Sequence, residues 1–175
     1  MDIKAELLRE HSKAQTSKIV AHVGNSAKTF ESLVKVYLDG PYRVTQRAAW
    51  PLSECVIKHP ALIKPHLKTL LDYTQKPGVH DAVKRNTVRL LQFIDIPKRN
   101  QGQVADICFK FLQDGKEPVA VRCFSMTVLG NLANDNPGFK PELKIIIEDQ
   151  LPYATAGFMA RARKVLKKLN LAARI

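Results

Sequence analysis

Four arginines recur at nearly constant spacing: Arg47, Arg85, Arg122 and Arg161, separated by 38, 37 and 39 residues. A guanidinium carries a permanent charge and a planar fork of donors. A row of them can therefore grip the phosphates or carboxylates of a ligand, or tie structural elements together through hydrogen bonds. Arg122 poses the choice most sharply. Within EPVAVRCFSMTVLGNLANDNP, residues 117 to 137, it is the only Asp, Glu, Lys or Arg between Val119 and Leu132. A guanidinium in such apolar surroundings is costly unless paired and hydrogen-bonded, and the carboxylates of Asp81, Asp114 and Glu117 are the candidate partners. A structural ladder and a ligand-facing row are both open to these four residues.

Further cations cluster around two of them. Lys84 and Arg89 join Arg85 in a basic stripe. After Asp149 the chain has no acid, while Arg161, Arg163, Lys164, Lys167, Lys168 and Arg174 follow. In all, 28 Lys and Arg stand against 16 Asp and Glu, a net charge of +12. An excess of that size attracts phosphates or acidic surfaces, and it also keeps a face solvated. Trp50 is the single tryptophan, three residues beyond Arg47 and directly before Pro51. Proline has no N–H to donate, so the carbonyl of Arg47 would be freed and the helix bent beside an aromatic ring. Packing residue and stacking residue are the two roles for Trp50. The candidate binding residues are thus Arg47, Trp50, Lys84, Arg85, Arg89, Arg161, Lys164, Lys167 and Lys168.

Other spacings carry less chemistry. VGNSAKT, residues 23 to 29, has the lysine and threonine of a phosphate-binding loop. It has Ala27 where the glycine before the lysine belongs, and no strand precedes it, so an interhelical turn with a helix cap is the expectation. His11, His22, His59, His66 and His80 fall at no metal-ligand spacing, and Cys55, Cys108 and Cys123 are far apart among apolar neighbours. Reduced core thiols are expected. No GxSxG occurs, and Ser53 has no base nearby in sequence. The chain reads as a protein without catalytic residues, metal or cofactor.

The elements that must position these residues are helices. Leu67, Leu70 and Leu71, and again Leu143, Ile146 and Ile147, follow the i, i+3, i+4 pattern, and strand-type alternation is sustained nowhere. Breakers at Gly24-Asn25-Ser26, Asp39-Gly40-Pro41, His59-Pro60, Lys76-Pro77-Gly78, Gln101-Gly102, Asp114-Gly115, Asn136-Pro137-Gly138 and Leu151-Pro152 cut out about eight helices behind an N-terminal helical segment. The helices repeat. PHLKTLL at 65 to 71 matches PELKIII at 141 to 147, with QVADICF at 103 to 109 halfway between, and the arginines mark the second helix of each pair. Pairs of helices at a period of about 38 residues make an α-solenoid, because one pair cannot cover its own apolar faces.

Glu117-Pro118, then Val121-Arg122, then Leu129-Gly130-Asn131-Leu132 resembles the consensus of the HEAT repeat. The resemblance implies an all-α, right-handed α-α superhelix of the HEAT/armadillo-like solenoid type, with an Asp/Arg ladder between stacked repeats. About four helix pairs over residues 27 to 170 would follow an N-terminal helical cap at 1 to 26, in one domain of 175 residues. It further implies a curved surface for a protein partner or acidic surface, with nucleic acid as the alternative. A more distant resemblance is to HEAT-like alkylpurine DNA glycosylases, for which Trp50 and Asp81 are the nominees. With 45% hydrophobic residues and no apolar run near the roughly 18 residues of a membrane span, a cytoplasmic protein without membrane contact is expected.

Overall fold

The computed structural model describes residues 1 to 171; Arg174 lies outside them. Ten α-helices and two short 3-10 segments account for the regular structure of the described residues, with no strand among them. The chain divides into two compact units, residues 1 to 95 and residues 96 to 175.

The first unit begins with α1 (Ile3–Arg9) and α2 (Lys13–Val23). Asp2 and Ser12 cap their N-termini, accepting from the backbone N–H of Ala5 and Gln15 at 3.1 Å in each case. α3 (Ala27–Asp39) is capped by Ser26, whose hydroxyl accepts from Thr29 N–H at 3.3 Å, so the loop-like VGNSAKT stretch is a turn and helix start. α4 (Tyr42–Lys58) runs on through Pro51. A 3-10 segment (Pro60–His66) leads into α5 (Leu67–Thr74), and α6 (Asp81–Leu91) closes the unit. α4 is the hub: α1, α2, α3, α6 and the 3-10 segment all pack on it. Phe30, Leu33, Tyr37, Ala48, Leu52 and Val56 are fully buried there. Tyr37 donates its buried hydroxyl to the Val83 carbonyl at 3.0 Å, which satisfies that polar atom within the core.

The second unit holds α7 (Lys98–Gln113), α8 (Val119–Asp135), α9 (Phe139–Gln150), a 3-10 turn (Leu151–Tyr153) and α10 (Ala156–Leu171). α8 touches all three of the other α-helices. That accounts for a helix apolar on nearly every side, with Val121, Met126, Val128, Leu129 and Ala133 excluded from solvent. Gly130 permits a close approach of α10: a Cβ there would meet Val165 Cγ1 at 3.0 Å.

Two sequence expectations need correction. Gln101-Gly102 does not break a helix; α7 runs straight through it. The break falls instead at Pro97, immediately before α7, where proline's fixed φ suits a helix start. The second correction concerns the partner of Arg122, below.

Candidate functional site

Three of the repeated arginines reach between elements to neutral hydrogen-bond acceptors. Arg47, half-buried on α4, donates from Nη1 to the carbonyls of Leu7 and Leu8 at 2.9 and 3.0 Å. Those carbonyls end α1 and have no intrahelical donor, so the guanidinium caps a helix C-terminus, where positive charge also meets the negative end of the macrodipole. Arg161 of α10 donates to Thr127 Oγ1 of α8 at 3.0 Å. Arg122 of α8 donates from Nη2 to the side-chain oxygen of Gln150. That acceptor is an amide, where a carboxylate from Asp81, Asp114 or Glu117 is expected from the sequence. Asp81 is exposed in the first turn of α6, Asp114 accepts from Lys116 N–H at 2.9 Å, and Glu117 is half-buried before α8. The Arg122 guanidinium carbon also sits 5.0 Å from the centre of the Phe158 ring, a cation–π contact worth roughly 0.5 to 2 kcal/mol. Its Nε is buried without a partner.

Of the remaining candidates in the first unit, Lys84 and Arg85 are half-buried on α6 and Arg89 is exposed. Lys84 has a partner of its own. Trp50 is half-buried and meets the ring of His11 edge-on at 5.8 Å. It forms one side of a narrow cleft between α2 and α4 with Lys13, Ser17, Glu54 and Lys58. Arg47 and Trp50 of α4 share this unit with the α6 stripe. In the second unit, Lys164, Lys167 and Lys168 lie along α10 beside the half-buried Arg161, and Lys168 donates to Asn131 Oδ1 at 2.8 Å.

The thiols behave as core atoms. Burial pushes the Cys55 thiol up to about 11 and that of Cys108 up to about 12, and raises that of Cys123, which leaves little nucleophilic thiolate near neutrality. His11 and His66 make ring contacts, and His80 caps a helix. His80 Nδ1 accepts from Ala82 N–H at 3.0 Å, and its ring lies 4.1 Å from that of Tyr42. No group of three or more His, Cys, Asp or Glu side chains suited to a metal occurs among the described residues.

A larger feature escaped the sequence reading. An open groove of about 650 Å³ runs between α7 and α9 in the second unit. Phe109 and Phe139 meet edge-to-face in it, ring centres 5.9 Å apart, and Asp106, Asp114, Glu142 and Lys110 stand around them. Gly102 lines the same groove. The signal for it was present: a glycine inside an amphipathic helix costs roughly 0.5 to 1 kcal/mol against alanine and calls for a reason. Reading Gly102 as a breaker concealed it.

Helix pairs of this length, stacked through interhelical side-chain bonds and recurring with one arginine per pair, define a helical-repeat scaffold. The HEAT repeat domain matches residues 3 to 169, and the chain belongs to the HEAT repeat family. No curated protein and no solved structure matches the chain. No described helix is long and apolar enough to cross a membrane.

Proposed function

We propose that this chain is a non-catalytic HEAT-repeat interaction module that presents its helical surface to a protein partner. The groove between α7 and α9 supports this most directly. Apolar side chains that cluster in a surface groove rimmed by polar residues mark an interaction site, and here two half-buried phenylalanines line an open groove bordered by charge. The four helix pairs over 27 to 170, behind a cap at 1 to 26, supply the frame.

A second reading, binding of nucleic acid or another polyanion, is favoured by the chemistry of the arginines. Arg47, Arg122 and Arg161 donate to neutral oxygens, and such bonds leave a positive charge uncancelled. Arg89, Lys164, Lys167 and Lys168 add further cations at the surface. Contacts of this kind would hold a phosphate backbone without reading bases.

Capture on the immobilised chain from native lysate, with and without nuclease, separates the two. Proteins retained after nuclease treatment support the protein-binding module. Loss of all retained material on nuclease treatment supports the polyanion reading, and no retention in either arm counts against both.

A further inference from the structure

Building on the protein-binding reading, we infer that the groove between α7 and α9 takes a cationic peptide segment, with arginine or lysine flanking an aliphatic or aromatic anchor. Three observations converge on that occupant. The apolar part of the groove is an aromatic pair, Phe109 and Phe139, held edge-to-face at 5.9 Å, which offers ring faces for an apolar anchor and for a guanidinium. The charges around it run against the rest of the molecule. In a chain of net charge +12, the groove is bordered by Asp106, Asp114 and Glu142, all exposed, against the single cation Lys110. A phosphate backbone would be repelled there, while a basic segment gains on approach and in register.

The third observation is Gly102. It sits inside α7, where glycine weakens a helix, and a Cβ built on it would meet no atom within 4 Å. Packing within the chain therefore gives no cause for the missing side chain. What the glycine does provide is room beside Phe109 at the same groove, next to Asp106 one turn on. A leucine at this position would project into the space an incoming side chain would use.

The test is fluorescence anisotropy of the whole chain with a fluorescein-labelled peptide of alternating arginine and leucine around a central phenylalanine. The same peptide with glutamate in place of arginine is the control. The basic probe should bind, the acidic one should not, and added salt should weaken binding. Gly102→Leu, which favours the helix, should weaken the basic probe about tenfold or more, and so should the surface double variant Asp106→Asn with Glu142→Gln. The inference is overturned if the basic probe fails to bind at about 1 mM, if the acidic probe binds equally well, or if neither variant changes the affinity. Sedimentation equilibrium adds one more arm: self-association that the basic probe cannot displace and that Gly102→Leu abolishes would make a second copy the occupant, which also overturns it. Unchanged protein capture by the Gly102→Leu chain would remove this groove and leave the module reading standing. Tight, groove-dependent peptide binding with no capture would do the reverse.

Discussion

Gln150 joins Arg122 to the end of another helix. Its side-chain oxygen accepts from the Arg122 guanidinium on α8, and its Nε2 donates to the Leu112 carbonyl at the end of α7, at 3.1 Å. One amide thus serves a half-buried cation and a helix-end carbonyl at once, which a carboxylate could not do, having no hydrogen to give. Removing it should be worse than removing the cation. Gln150→Leu strands both the guanidinium and the carbonyl, and should cost about 1 to 3 kcal/mol in urea unfolding. Arg122→Met should cost less, because methionine keeps an apolar contact with Phe158 and the half-buried Gln150 oxygen can turn to water. The double variant should fall well short of the sum of the two; full additivity would show that the pair is not coupled.

Arg47 does the same for α1 from a distance of about 40 residues along the chain. Arg47→Met should release the last turn of that seven-residue helix, which is too short to stand without tertiary support. Hydrogen exchange should quicken at amides 6 to 9, the ones bonded into the helix, by the equivalent of about 1 to 2 kcal/mol of local protection, with the amides of α4 little changed. Equal acceleration in both helices would mean that the arginine supports the whole unit.

Two side chains set separate acid responses in the first unit. His66 lies against the buried Phe30 ring at 5.7 Å, and burial lowers its pKa below the ordinary 6.5. The unfolded chain then takes up the proton first, so stability is fully present above about 6.5 and is lost as pH falls toward the folded value. Glu6 responds lower down. Its carboxylate accepts from Lys18 Nζ at 2.8 Å and from the Gln15 amide, and these hydrogen bonds hold it below the ordinary 4.5. Its contribution is present above about 4.5 and disappears as pH falls through the lowered value. In urea midpoints measured against pH, His66→Gln should flatten the slope just below pH 6.5, and Glu6→Gln only the slope at lower pH. A slope below 6.5 that survives His66→Gln would assign it to another group.

The helical class, the repeat and the family motif were legible because burial enforces periodicity: every pair must turn an apolar face to the next. Most turn positions were legible for a related reason, since proline and glycine act through local sterics. Gly102 misled for that same reason. Its local preference is to break a helix, while Val104, Ala105, Ile107 and Cys108 behind it bury a face that keeps α7 continuous. The partner of Arg122 was hidden by distance. Gln150 stands 28 residues away and carries no charge to mark it as an acceptor. The groove was hidden likewise, because Phe109 and Phe139 lie 30 residues apart and each reads as an ordinary apolar position.

The two mid-helix glycines should respond in opposite ways. At Gly102 a methyl group meets nothing, so Gly102→Ala should stabilise by about 0.4 to 1 kcal/mol through the unfolded chain alone. At Gly130 the same methyl would stand 3.0 Å from Val165 Cγ1, a β-branched side chain with little freedom to turn aside. Gly130→Ala should gain nothing, and Gly130→Leu should lose about 1 to 3 kcal/mol or more from overpacking α8 against α10. Thermal melts by far-UV circular dichroism would read both. A stabilised Gly130→Ala would mean that α10 can shift at no cost.

The lysines of α10 separate the polyanion reading from a purely solubilising role. Phe158, Ala162, Val165 and Leu169 are buried, and Lys164, Lys167 and Lys168 occupy the wet side of the same helix. An exposed helix face needs polar side chains whatever it binds, and cations near a helix C-terminus suit the macrodipole. Solubility alone would therefore produce this pattern. Changing Lys164, Lys167 and Lys168 together to Gln should leave the fold intact, since the hydrogen bond it removes, from Lys168 to Asn131, is exposed to water. If the three ammonium groups hold phosphates, affinity for duplex DNA or RNA should drop, and the slope of log K against log salt should shrink by roughly 2 to 3, one counterion for each phosphate no longer neutralised. Unchanged affinity and slope would take α10 out of any phosphate binding and confine its lysines to keeping the face wet.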